Sequence, residues 1–360
     1  MAMRTPTTRS RMRANTRRGF PDGKKFAFTI IDDTDVGTVD NLKPVYDLLF
    51  QLGFRTTKTV WPVACPEGSA DFGSSETLAD ADYRAFAIDL QKQGFELTWH
   101  GATMEASERP RTVAALERYK QIFGDYPRIH LNHALNRENV YWGVNRLDSP
   151  LLRSAVRKFA HWDPDYFVGE REGSAFWWGD LCSRHMTYGR NLTTNQLNTA
   201  RFNPSMPYRD PRRPLVPWWF SSSDAESVEE FNELLHPRNQ DQLEREGGFC
   251  IIATHFGKDF ARDGKVNPIT RARLEELASR PGWFPTAGEL LDWLREERAA
   301  ASARATLPRL EWIRMQWQFV WDLGVRKLKQ HQHAPNGTSW SRFDPPGFAE
   351  ISSSESFIPA

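Results

Sequence analysis

Cysteine is scarce in this chain, and neither sign of charge prevails. The 360 residues include three cysteines, Cys65, Cys182 and Cys250, which lie far apart and show no CxxC spacing. This pattern excludes a disulfide framework and favours a reducing compartment. Lys and Arg total 47 against 46 for Asp and Glu, so bulk charge indicates neither nucleic acid nor a membrane surface as a partner.

Long apolar runs are also missing. No stretch of about 18 apolar residues occurs, so we expect no transmembrane segment. The first 23 residues carry six arginines and no acid before Asp22, and the pair Arg17-Arg18 is not followed by the apolar core of an export signal. We therefore expect a cytoplasmic protein with a disordered basic arm at 1–23.

Apolar, β-prone runs alternate with amphipathic segments along most of the chain. This alternation, with short connections, predicts parallel βα units. The strands are expected at 26–32, 55–61, 95–100, 128–133 and 248–255, with shorter ones at 166–169, 215–220 and 283–285. The helices are expected at 39–52, 76–93, 111–123, 149–159, 224–235, 270–279 and 286–300.

Two further segments differ in composition from this pattern. Residues 170–214 are polar and aromatic, and we expect a long loop that caps a substrate cleft. Residues 308–330 form a predicted amphipathic helix with four aromatic side chains, which could dock on the domain, bind a protein partner or mediate self-association. Residues 331–360 are rich in Ser, Pro and Gly and are expected to be a loose tail.

Acids and imidazoles follow several of the predicted strands. Asp32 and Asp33 end the first strand, and His100, His133 and His255 each end a later one. Because the carboxyl ends of parallel strands meet at one face, these groups are expected to form one cluster. Carboxylate plus imidazole is a ligand set for zinc or a similar ion, which leaves one acid and one imidazole free for base and acid roles.

The order of these segments resembles a known family, the polysaccharide deacetylases or NodB-homology carbohydrate esterases. The similar motifs are Thr29-Ile-Ile-Asp32-Asp33-Thr, His100-Gly-Ala-Thr-Met104, Ile252-Ala-Thr-His255 and the ending Trp283-Phe-Pro-Thr-Ala-Gly-Glu-Leu-Leu-Asp-Trp. The resemblance covers about residues 24–298. It implies a distorted (β/α)7-type barrel of the glycoside hydrolase and deacetylase kind, here followed by the C-terminal helix.

The resemblance also implies site residues and a cofactor. Asp32 would be the general base and His255 the general acid. Asp33 and His100 would bind a divalent metal, with zinc as the expected ion. Met104 stands where the family has its second metal histidine, so His133, Asn132 or Glu105 would complete the set, and His133 is the preferred third ligand. The residues expected to bind an amino-sugar or other carbohydrate substrate are Asn132, Asn136, Trp142, Arg184, His185 and Tyr208.

The implied activity is metal-dependent hydrolysis of an N- or O-acyl group on a carbohydrate or glycan precursor, at a carbon–nitrogen bond other than a peptide bond. Two alternatives remain open. Met104 could mark a catalytically altered barrel that binds a glycan or a protein partner. Asp32 and Asp35 could instead form the acid/base pair of a glycosidase, but two acids three residues apart can hardly straddle a sugar bond.

Overall fold

The fold is described from a computed structural model, which covers residues 19–160, 163 and 165–333. Most of the predicted arm (1–18) and most of the predicted tail (334–360) lie outside these residues. The end of the predicted arm is part of the core, since Phe20 is buried and its ring lies 4.8 Å from that of Trp293.

Seven parallel strands close into a barrel. In chain order they pair with their neighbours, and the last strand returns to the first through six residue pairs from Ala27↔Phe249 to Asp32↔Thr254. This closure leaves no free edge among the seven strands. The strands are β1 (Phe26–Asp32), β2 (Thr57–Val60), β3 (Glu96–Trp99), β4 (Ile129–His130), β5 (Tyr188–Thr194), β6 (Trp218–Asp224) and β7 (Phe249–Thr254).

Three short strands complete the β structure. A hairpin follows β7 and consists of β8 (Ala261–Arg262) and β9 (Lys265–Val266). β10 (Gly282–Trp283) pairs in parallel with the start of β1, while β2 pairs with the end of β1. β10 therefore fills the space that β2 leaves beside β1 at the amino end of the barrel.

Helices surround the barrel and begin at side-chain caps where the sequence provides them. Thr38 and Thr286 each form a capping box, the second with Glu289 as its spacing predicted. The helices are α1 (Val39–Gln51), α2 (Ala81–Lys92), α3 (Arg109–Phe123), α4 (Pro150–Ala160), α5 (Gly179–His185), α6 (Thr199–Phe202), α7 (Val228–Leu234), α8 (Pro237–Glu246), α9 (Pro268–Ala278), α10 (Ala287–Ala300) and α11 (Arg309–His333).

The middle of the chain differs most from the prediction. The segment expected to be one long loop contains α5, β5 and α6, and all seven residues of β5 are buried. Residues 166–169 consist of turn and irregular backbone and not of a strand. The strand expected at 215–220 begins at Trp218, and the helix expected from residue 224 begins at Val228 with Ser227 as its cap. Helix α8 was not predicted.

The C-terminal helix α11 docks against the barrel wall. Its Trp312, Met315 and Phe319 are buried in the core, and Thr194 Oγ1 at the end of β5 donates a hydrogen bond of 2.8 Å to Asp322. The predicted C-terminal helix is therefore present, and docking on the domain is one of the alternatives that the sequence left open. Among the described residues, no helix has the length and apolar character needed to cross a membrane.

Candidate active site and metal centre

Asp35 lies at the centre of three imidazoles at the carboxyl ends of the strands. His100, His133 and His255 follow β3, β4 and β7, and Nε2 of each lies 3.5 Å from a carboxylate oxygen of Asp35. The clustering of the three histidines was predicted, because parallel strands end at one face. Gly257, in the turn after β7, allows that turn to lie against the backbone of Asp35, since a Cβ there would lie 2.7 Å from the carbonyl oxygen of Asp35.

Hydrogen bonds at the far side of two rings assign their tautomers. His100 Nδ1 lies 3.2 Å from the carbonyl oxygen of Leu131, and His133 Nδ1 lies 3.2 Å from Asn136 Oδ1. Both acceptors favour a proton on Nδ1, so in the neutral ring Nε2 is the nitrogen that can bind an ion on the side of Asp35. His255 differs, because its Nδ1 is buried and has no hydrogen-bond partner among the described residues.

The charges around Asp35 favour its ionised form. Burial opposes the charge, but His133, His100 and His255 outweigh burial and hold the pKa of Asp35 well below its usual range. Burial also opposes charge on His133, yet Asp35 raises the pKa of that ring. For His100 burial dominates and lowers the pKa despite the nearby acids. One carboxylate thus faces imidazoles that are not all charged, a site that favours an added cation.

Asp35, His100 and His133 fit the requirements of a metal centre. Their ligand atoms lie within 4.8 Å of one another. Asp35 Oδ1 is buried and has no hydrogen-bond partner among the described residues, so a lone pair is available. Two imidazoles and one carboxylate with an open fourth position are typical of a catalytic zinc site. Two of the three expected ligands are in this set, and Asp35 takes the place expected for Asp33.

Asp33 is instead paired with an arginine. Its Oδ2 lies 3.1 Å from Arg190 Nη2 and 4.0 Å from His100 Nε2. Its other oxygen, Oδ1, is buried without a hydrogen-bond partner in the described part of the chain. Asp33 therefore lies beside the candidate metal ligands, oriented through one oxygen and with the other available as an acceptor.

Asp32, unlike Asp33, has no carboxylate oxygen without a hydrogen bond. Its Oδ2 accepts hydrogen bonds of 2.9 Å from Lys58 Nζ and from the Tyr46 hydroxyl, and its Oδ1 accepts one of 2.8 Å from the backbone N–H of Phe256. Asp32 and Lys58 are both fully buried. Burial would lower the pKa of Lys58, but the Asp32 carboxylate raises it above its ordinary value. The residue expected to be the general base thus belongs to a closed ion pair behind the site.

One residue with a strained backbone, Val36, and one aromatic residue, Trp61, shape the walls of the site. Val36 has a φ of +51°, a conformation that costs a β-branched residue about 1–3 kcal/mol, and it forms the turn directly after Asp35. The indole of Trp61 packs against His100 and His133, with ring centroids 5.0 Å from each. A strained turn and an aromatic wall at the same cluster are typical of functional sites.

The expected substrate residues near His133 have mainly supporting contacts. Asn136 holds His133 Nδ1 and donates to Glu138 and to the carbonyls of Thr103 and Glu105. Asn132 bonds both backbone groups of Val140 and so fixes the loop after β4. Trp142 is half-buried, and the guanidinium of Arg146 lies 3.9 Å from its ring centroid.

The structure does not bring the other three expected substrate residues to the site. Arg184 and His185 end α5, just before β5 begins, and therefore lie at the amino end of the barrel, opposite the histidines. The ring of His185 stacks on Tyr126 at 3.7 Å. Tyr208 is buried under α11, where its hydroxyl accepts a hydrogen bond from Asn191. These positions were inferred from a loop that the structure shows to be helix and strand.

Met104 and Glu105 are not among the candidate metal ligands. Met104 Sδ accepts a hydrogen bond from Ser74 Oγ at 3.1 Å, so its thioether is engaged with a neighbouring loop. Arg190 was not predicted as a site residue because β5 was expected to be part of a loop. Lys58 was not predicted because a lysine between threonines is typical of a solvated position. A lysine inside a predicted buried strand was the available signal, since burial of its charge requires a partner acid.

No family model matches the chain, and no curated protein matches it in sequence. Solved structures do match in fold. A proposed polysaccharide deacetylase from Mycobacterium smegmatis shares 12% identity and covers 81% of this chain and 97% of its own, with a TM-score of 0.47. The Puue allantoinase shares 11% identity and covers 78% of this chain and 92% of its own, with a TM-score of 0.45.

A family 4 acetyl xylan esterase from Clostridium thermocellum, whose structure contains a cobalt ion, shares 12% identity. It covers 79% of this chain and 98% of its own, with a TM-score of 0.35. Polysaccharide deacetylases are thus among the solved structures to which the chain is similar, as its motifs predicted. Because the identities and TM-scores are low, we take no residue role or activity from these similarities.

Proposed function

We propose that the chain is a metal-dependent hydrolase that removes an N- or O-acyl group from a carbohydrate or glycan precursor. The observation that carries this proposal is the position of the Asp35 carboxylate, 3.5 Å from Nε2 of each of three histidines at the carboxyl end of the barrel. The carbohydrate class of substrate rests on the resemblance of the motifs.

Asp35, His100 and His133 are the residues that would hold the ion. A zinc-like ion bound there would polarise the acyl carbonyl and lower the pKa of a water molecule. Leu131 and Asn136 keep the two imidazoles in the tautomer that binds through Nε2. The fully buried indole of Trp61 packs against both imidazoles, and such an apolar wall strengthens electrostatic interactions inside the site.

Asp33 takes the role of general base in this proposal. Arg190 holds Asp33 Oδ2, and the buried Oδ1 is free to accept a proton from the attacking water. Asp33, which the motif implied as a metal ligand, is therefore the proposed base. Asp35, two residues further on, is the proposed ligand.

His255 is the proposed general acid, as the motif implied. Its Nε2 faces Asp35, and its ring is carried by the turn after β7. That turn is fixed by the hydrogen bond from Phe256 N–H to Asp32 Oδ1, and Asp32 is fixed in turn by Lys58. Asp32 is thus proposed as a positioning residue that acts through His255.

The test is acetate release from a panel of N-acetylated and O-acetylated oligosaccharides. We expect the wild-type chain to release acetate, a chelator to stop the release, and re-addition of zinc to restore it. Asp33→Asn should lower kcat by about 10²–10⁴-fold with the ion retained. Asp180→Asn is a matched control, because Asp180 forms an exposed ion pair with Arg109 outside the site. Release that a chelator leaves unchanged would contradict the proposal.

A further inference from the structure

The C-terminal helix α11 has a second apolar face that the fold does not use. Five of its side chains form a row that points away from the barrel, and their exposed fractions range from 40% to 81%. The members of this row, called here the apolar row, are Leu310, Ile313, Trp317, Trp321 and Leu328. At 100° per residue these positions lie within one narrow stripe, roughly opposite Trp312, Met315 and Phe319.

The apolar row exposes more apolar surface than single apolar side chains scattered over a protein surface do. Its two indoles expose 56% and 73% of their surface, which corresponds to roughly 300 Å² if a whole indole contributes about 250 Å². With the three aliphatic side chains the exposed apolar surface reaches about 600 Å², the upper end of what a monomer normally exposes. Patches of this size mark interaction sites.

The charges of the helix are distributed unevenly around this face. Both acids are turned towards the barrel, where Glu311 accepts a hydrogen bond from Ser205 and Asp322 accepts one from Thr194. Arg309, in contrast, is exposed and lies one helical turn from Ile313, beside the apolar row. Arg304, just before the helix, is exposed as well. The described part of α11 therefore offers apolar groups and cations on its outer side and no carboxylate.

A lipid surface fits this face better than a second copy of the chain does. A stable interface between proteins buries about 800 Å² per partner, more than the row offers. The row is also straight, about 27 Å long, and needs no complementary groove. Indole rings favour the boundary between headgroups and acyl chains, and exposed cations attract anionic headgroups.

We infer that the apolar row of α11 binds the surface of an anionic membrane, with the helix lying in the plane of the interface. The chain would then be a peripheral membrane protein that does not cross the bilayer. This inference is independent of the proposed hydrolysis, because it uses no residue of the metal site. The balanced bulk charge gives no indication of a membrane partner, but a local face and not the net charge decides such binding.

Co-sedimentation with vesicles tests the inference on the full chain. We expect wild type to bind vesicles of phosphatidylglycerol and phosphatidylcholine, and to bind pure phosphatidylcholine vesicles more weakly. Trp317→Gln combined with Trp321→Gln should lower binding at least tenfold. Arg309→Gln should lower it about fivefold at low salt, with little effect at high salt. Phe72→Gln combined with Ile269→Gln is the matched control, since both residues are exposed apolar side chains outside the row.

Three results would overturn the inference. One is wild-type binding to neither kind of vesicle. Another is equal loss of binding in the control and in the double tryptophan variant. The third is a wild-type dimer in analytical ultracentrifugation that the double tryptophan variant dissociates while neither protein binds vesicles, because a second copy would then occupy the row. Circular dichroism and thermal unfolding of each variant establish that the fold is retained.

Discussion

Asp32 and Asp35 lie three residues apart, are both buried, and have cationic or cationisable neighbours, yet their surroundings have opposite consequences. Asp32 accepts three hydrogen bonds of 2.8–2.9 Å from Lys58, Tyr46 and the Phe256 backbone. Asp35 faces three imidazole nitrogens at 3.5 Å, which is longer than an ordinary N–H···O bond. Both oxygens of the Asp32 carboxylate accept hydrogen bonds, whereas Oδ1 of Asp35 has no hydrogen-bond partner among the described residues.

This difference shows what separates a structural acid from a functional one in the same loop. Burial and a nearby opposite charge describe both residues. What distinguishes them is whether the donors present already use the oxygen lone pairs. The Asp32 side therefore holds the turn after β7 in position, and the Asp35 side is the one that we propose binds the ion.

The largest expected effect is a loss of stability from a change on the Asp32 side. Lys58→Met leaves the Asp32 carboxylate buried without its cation, and we expect a loss of about 3–5 kcal/mol in the free energy of unfolding. Urea denaturation measures this loss in the free energy of unfolding. The double variant Asp32→Asn with Lys58→Met should lose much less than the single variants together, because both charges are then removed. Additive losses would contradict the closed ion pair.

A smaller effect is expected from Glu138, which lies behind Asn136 on the Asp35 side. Burial raises the pKa of Glu138 from its ordinary value near 4.5 to about 7. Between these values the folded protein binds a proton that the unfolded chain has lost, so this residue lowers stability as pH rises from about 4.5 to about 7.

Glu138→Gln should therefore leave stability nearly unchanged at pH 4.5 and increase it by up to about 3 kcal/mol at pH 8. Thermal unfolding of both proteins across this range measures the difference. The same gain at both pH values would show that Glu138 does not titrate as described.

The smallest effect is expected at the hydrogen bond behind His133. Asn136→Ala removes the acceptor of His133 Nδ1, and we expect the affinity for the metal to fall about 10–100-fold with the fold retained. Competition with a zinc-selective chelator measures this affinity. Asn203→Ala, which removes a buried amide that donates to Ser221, serves as the control and should leave the affinity unchanged.

Much of the barrel could be predicted from the sequence. β1 and β7 are continuous apolar runs, and each was predicted at or within one residue of its observed ends. β5 could not be predicted, because Tyr188–Thr194 contains Arg190, Asn191 and threonines, yet all of it is buried. These polar side chains serve the site and the contact with α11, so the apolar pattern that marks a buried strand is absent. α8 was missed for a related reason, since it is almost entirely polar.

The site was predictable in part. The histidines that end strands were found because parallel strands end at one face. The roles of the three acids could not be assigned, because they depend on the turn at Val36 and on contacts with residues far along the chain. Arg190 lies 157 positions from Asp33, and Lys58 lies 26 from Asp32. No local pattern encodes either pairing.

The most direct measurement is the metal content of the purified chain beside Asp35→Asn and Asp32→Asn, after each protein has been supplied with zinc and dialysed. We predict about one ion per chain in wild type, very little in Asp35→Asn, and close to one in the folded fraction of Asp32→Asn. An ion that persists in Asp35→Asn, or that only Asp32→Asn removes, would contradict the division of roles between the two acids.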